Sequence, residues 1–146
     1  MNKFESNFNL IGNYFIKFLR ADINDNVIIN SIKVFDSLKS ELFEIKMDFN
    51  ATKAFYRFIT IGHDTIFDLP SYNLSEVCQI EIKYSDSVKM IFRFQDINDT
   101  ISEIYLNMSK SDYNEFCYKV FFYLLIDLIS SDKDIYDVNL ERRNNE

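Results

Sequence analysis

Chemistry-bearing side chains are sparse in this chain. His63 is the one histidine, and Asp64 follows it in the stretch "GHDTIFDLPSYNLSE". An imidazole beside a carboxylate is raw material for acid–base catalysis, because histidine titrates near neutral pH. No nucleophile or second base accompanies the pair, so His63 reads as a lone loop residue. Cys78 and Cys117 are isolated thiols on inward-pointing patterns, which predicts free, inert side chains in a reducing compartment. Their spacing is not that of a zinc site. With two glycines, at 12 and 62, the chain lacks a Gly-rich phosphate loop. No serine sits in a nucleophile elbow, and no loop has the ligand alternation of an EF-hand. The sequence therefore predicts no cofactor, no metal and no catalytic set.

Carboxylates are plentiful, but many fall where turns want Asp for backbone reasons: Asp22, Asp25, Asp64, Asp68, Asp96 and Asp99. The segment "SSDKDIYD" is different. Asp132, Asp134 and Asp137 follow a long helical pattern, at the end where the macrodipole favours cations. Acids set against local preference point to another use, such as meeting a basic surface; a solvated tail is the plainer alternative. Tyr136 lies among them and belongs to a residue type enriched at binding hot spots. Asp132, Asp134, Tyr136 and Asp137, with the turn acids Asp96 and Asp99, form the candidate partner-binding set.

The charge balance agrees. Sixteen Lys and Arg against 23 Asp and Glu leave a net charge of −7. Such a surface repels nucleic acid phosphates and anionic lipids and favours a basic protein partner, although it also simply keeps a small protein soluble. Apolar residues at 47% and charged residues at 27% describe a globular chain. A length of 146 residues predicts one domain over 1–146, with 139–146 as a frayed tail. The N-terminus lacks the apolar core of a signal peptide, so the expected location is the cytoplasm. Richness in Phe, Tyr, Ile, Asn and Lys, with Gly and Pro scarce, is what an AT-rich gene encodes.

These side chains must be positioned by elements that the hydrophobic pattern reveals. "NEFCYKVFFYLLIDLI" is too short an apolar run to span a membrane. At helical spacing, Asp112, Glu115, Lys119, Tyr123, Asp127 and Ser130 form a narrow polar stripe, and the rest is apolar. This predicts an amphipathic helix over 111–129, capped by Ser109 or Ser111. Upstream, "CQIEIKYSDSVKMIFRF" alternates with period two on both sides of a turn. The predicted register pairs Tyr84 with Val88, Ile82 with Met90, Ile80 with Phe92 and Cys78 with Phe94. A third strand places Ile104, Leu106 and Met108 on the same face.

The N-terminal half is less decided. Phe4, Phe8, Ile11, Phe15, Phe18 and Leu19 share a helical stripe, which predicts a helix over 4–19; Gly12-Asn13 offers a hairpin as the rival. "ELFEIKMDF" and "KAFYRFITI" read as strands, 27–38 fits either state, and 62–76 reads as a loop. "DIND" at 22–25 and 96–99 hints weakly at a duplication. The predicted class is α+β: an antiparallel sheet, a meander in the C-terminal half, covered by a long C-terminal helix and an N-terminal helix. The expected role is a small acidic protein-binding module, with an immunity or inhibitor protein against a basic nuclease-type toxin as the leading form. A phage or viral accessory protein, or an enzyme using Asp residues and His63, are the alternatives.

Overall fold

The computed structural model describes residues 3–24, 27–69, 77–95, 98 and 100–126. The fold is α+β, with two antiparallel sheets and two helices. The first sheet contains β1 (Lys3–Glu5), β2 (Asn9–Ile11), β3 (Tyr14–Asn24), β4 (Val27–Phe35) and β5 (Glu41–Asp48), and α1 (Phe49–Ile59) follows directly. The second contains β6 (Thr65–Asp68), β7 (Val77–Tyr84), β8 (Ser87–Gln95) and β9 (Ile101–Ser109), and α2 (Lys110–Leu124) follows directly. In the first sheet β1 and β2 lie in line along one side of β3, and β4 and β5 continue from its other side. The second runs in the order β6, β7, β8, β9.

The N-terminal helix predicted over 4–19 is replaced by strands. Inward-facing Ile16 and Phe18 are buried, and the intervening Phe15 and Lys17 are more open. Gly12, at φ 61°, takes the first central position of the two-residue turn between Ile11 and Tyr14. Glycine reaches that conformation without a steric cost, and a type II′ hairpin reserves the position for it. Ser6 bridges the break between β1 and β2: its N–H donates to the Phe18 carbonyl, and its Oγ accepts from the Phe18 N–H, each at 2.9 Å.

The predicted strand over "KAFYRFITI" is a helix instead. Asp48 decides it: its carboxylate accepts from the Ala51 N–H at 2.7 Å, an N-cap that closes the first turn. Thr52, Phe55, Tyr56 and Ile59 then share a buried face. The crowding of apolar residues in this stretch satisfies periods of 2 and 3.6 alike, so periodicity alone could not choose. The predicted 62–76 loop contains β6, a short edge strand paired with β7.

The second sheet follows its predicted register from Tyr84–Val88 through Ile80–Phe92. Phe94 then pairs with Val77 in place of Cys78, because an irregularity between Val77 and Gln79 shifts the ladder. The α2 helix begins at Ser109, one of the two predicted caps, and runs to Leu124; 127–129 of the predicted span lie outside the described residues. Phe116, Val120 and Leu124 are buried as expected. Each helix packs on its own sheet and reaches the first strands of the other: α1 touches β4, β5 and β6, and α2 touches β8, β9, β2 and β3. The sheets meet at Phe43, whose ring centroid lies 4.5 Å from that of Phe92 and 5.6 Å from that of Phe94.

Candidate partner-binding surfaces

Asp96, Asp99, Asp132, Asp134, Tyr136 and Asp137 all lie outside the described residues, and so does the 139–146 tail. Their sequence positions still carry information. Residues 127–137 hold four acids, Asp127, Asp132, Asp134 and Asp137, against one base, Lys133. Glu76, Asp96 and Asp99 are flanked by residues from one end of the second sheet. There Val77 pairs with Phe94 and Gln95 with Ile101, while Asp68 pairs with Gln79. The backbone thus gathers the flanks of three acids and the exposed Asp68 at a single sheet end.

The outer face of this sheet carries an ordered polar network. Arg93, on the central strand β8, donates to Glu81 at 2.7 Å, Glu103 at 2.8 Å and Gln79 at 2.8 Å. Gln79 donates in turn to Asp68 at 2.8 Å, and the Tyr105 hydroxyl donates to Glu103 at 2.6 Å. Six side chains on four strands are thereby tied across the sheet. The Tyr105 and Arg93 bonds hold the Glu103 carboxyl below its ordinary range. The same bond to Glu103 raises the Tyr105 hydroxyl, and the two carboxylates raise Arg93 further. Lys89 sits over the Tyr105 ring at 4.8 Å, and Ile91 is buried beneath the polar layer. Ile66 at 54%, Ile101 at 61% and Tyr105 at 45% exposure give the face apolar contact area. Tyr and Arg are the side chains that most often anchor protein interfaces.

A second exposed feature runs along α2. Tyr118 and Phe122 stack with centroids 6.0 Å apart and stand 60% and 43% exposed. The sequence placed Lys119 and Tyr123 on the solvent stripe. Both are half-buried, because Tyr123 stacks on Phe18 at 5.2 Å and on Phe4 at 5.7 Å, with Lys119 over its ring. The N-terminal strands draw the helix round by about a residue, and the wide apolar pattern had no single axis to fix that rotation.

The residues with catalytic flavour are held structurally. The Asp64 carboxylate accepts the Tyr84 backbone N–H at 2.7 Å, while the exposed His63 ring meets the Asp64 carbonyl. Cys78 and Cys117 are half-buried free thiols rather than fully buried ones, and the Cys117 Sγ points at the Ile59 carbonyl at 3.6 Å. The buried Tyr113 hydroxyl donates to the same carbonyl at 2.6 Å, near the end of α1, and burial pushes its ionisation upward. Among the described residues no group of three or more His, Cys, Asp or Glu could hold a metal ion, and no helix is long and apolar enough to cross a membrane. Compared with family models, with curated proteins and with solved structures, the chain matches none.

Proposed function

We propose that the chain is a protein-binding module that captures a basic protein, in the manner of an immunity protein neutralising a nuclease-type toxin. The observation that supports this reading is the charge: sixteen Lys and Arg against 23 Asp and Glu leave −7, and residues 127–137 hold four acids against one base. A run of like charge steers a cationic partner more strongly than the same charge spread evenly, because the field is largest where like charges cluster. The Arg93–Glu103–Tyr105 face offers a preorganised contact surface, which lowers the ordering cost of association.

The test is capture on the immobilised chain at low and high salt, with bound proteins identified by mass spectrometry and assayed for nuclease activity with and without the chain. The expected result is a basic protein whose activity the chain blocks. Its association should slow as the Debye length shrinks from about 10 Å at 0.1 M to about 3 Å at 1 M salt. The triple variant Asp132→Asn, Asp134→Asn, Asp137→Asn should lower the on-rate. An acidic partner, or a rate unmoved by both salt and the triple variant, overturns the reading.

A further inference from the structure

We infer that β9 is a docking edge for a second copy of the chain, the two β9 strands pairing antiparallel about Tyr105. The inference does not rest on the acidic capture described above, although β9 carries Glu103 and Tyr105 of the outer face offered there as a contact surface.

The argument starts from two edge strands that occupy equivalent places. Each is the last strand of its sheet, pairs on one side only among the described residues, and runs straight into a helix. Edge strands invite pairing unless something blunts them, and charges and irregularities are the usual means. β5 is blunted. It carries Glu41, Glu44, Lys46 and Asp48, and its ladder with β4 slips between Val34 and Phe35. β9 is not. Its nine residues, ISEIYLNMS, pair with β8 without a break, and Glu103 is their single charge. That charge is already engaged by Arg93 and Tyr105.

The occupant follows from the charge pattern of the outer face. In the row Asp68–Gln79–Arg93–Glu103 the acids outnumber the base. Two rows further on, Lys83 and Lys89 stand beside Asn107, and the acid at that level, Asp64 just before β6, lies at the far edge of the sheet with its carboxylate on the Tyr84 N–H. A two-fold axis at Tyr105 sets residue 103 of one copy opposite 107 of the other, and 101 opposite 109. The acid-rich row of each copy then continues into the lysine row of its partner, twice over, and no like charges stand directly opposite. Tyr105 meets its own counterpart, an aromatic cross-strand pair. The Tyr14 hydroxyl touches the Tyr105 carbonyl at 3.5 Å, the long limit of a hydrogen bond, so a partner amide at ordinary distance displaces it.

Sedimentation equilibrium of the full chain, up to about 1 mM protein so that even a weak interface is populated, tests this with two variants of the exposed Asn107. Asn107→Glu places a carboxylate opposite Glu103 at both ends of the junction, and Asn107→Lys places an ammonium there. The dimer constant should weaken with Glu and tighten with Lys, by roughly 2- to 30-fold each from two cross-strand pairs. A general folding defect cannot move the constant in opposite directions. Amide exchange on the unmodified chain gives an independent reading: protection of β9 should rise with concentration while that of β5 stays level. A monomer throughout the range, or a dimer whose constant shifts the same way in both variants, overturns the inference, as does protection that rises at β5 and not at β9.

Discussion

Asp48 ends β5 and caps α1, and Ser109 ends β9 and caps α2. Aligned on these caps, the two halves of the chain correspond in element order and strand pairing. β3, β4 and β5 match β7, β8 and β9, and the interrupted β1–β2 matches β6. Buried helix positions fall together as well: Thr52 with Tyr113, Phe55 with Phe116, Ile59 with Val120. The rows of the ladders follow suit, Phe18–Ile32–Ile45 against Ile82–Met90–Leu106. On the inward face the halves differ in chemistry at one row. Where the second places Val88 and Tyr113, the first places a fully buried amide and hydroxyl: Asn30 donates to Thr52 at 2.9 Å, and Thr52 donates to the Asp48 carbonyl at 2.7 Å. One architecture thus tolerates an apolar or a hydrogen-bonded solution at the same place, provided each buried donor is satisfied.

The largest effects should come from the matched core rings. Phe55→Ala and Phe116→Ala should each cost about 3–5 kcal/mol through the cavity left behind. Both should lower a single chemical-denaturation midpoint, since each helix packs on both sheets. Two separate transitions, read by different probes, would show that the halves are independent domains and break the comparison.

Thr52→Val is next. It strips the Asn30 amide of its acceptor inside the core, at about 1–3 kcal/mol. Asn30→Val together with Thr52→Val makes the row apolar, like its counterpart at Val88, and should recover most of the loss. A double variant no more stable than the single one would show that the two rows are not interchangeable.

The caps should give smaller and similar losses. Asp48→Ala and Ser109→Ala remove equivalent bonds to the third helical N–H, of 2.7 Å and 3.1 Å, at about 1 kcal/mol each. A denaturation series in which only one of them matters would sharpen the comparison into a statement about which helix carries the fold.

The smallest effect belongs to the outer face, and it depends on pH. Glu103 has a lowered ionisation in the fold, so its contribution is present above the unfolded pKa and is lost as pH falls through the folded value. Tyr105 is raised, chiefly by its bond to Glu103. Glu103→Gln should therefore bring the Tyr105 ring titration, followed by NMR, back toward the ordinary tyrosine value.

The second half was legible in the sequence because its strands alternate cleanly and its outer residues are charged, so one register satisfies both faces. The first half was not. Phe and Ile crowd residues 4–19 and 49–59 so densely that a strand and a helix each find an apolar face. Two single residues settled the matter, Gly12 through its turn and Asp48 through its cap. The "DIND" pair does not mark equivalent places: one copy closes β3 and the other follows β8 in the sequence, and these are not equivalent strands. The proposed acids at 96, 99, 132, 134 and 137 were legible only as composition.

By itself, the sequence determined what local physics determines: the α+β class, the 77–108 meander and its inward face, a serine cap at 109 or 111, and a net charge of −7. Tertiary structure alone decided the rest. It gave Phe18, on the strands that Gly12 turns locally, the α2 rings of Phe116 and Tyr123 to pack against. It turned α2 so that Tyr123 went in and Tyr118 and Phe122 stayed out, and it assembled Asp68, Gln79, Arg93, Glu103 and Tyr105 from four strands into one network. Those outcomes depend on neighbours brought from distant parts of the chain, and no periodicity within a single segment encodes which neighbour arrives.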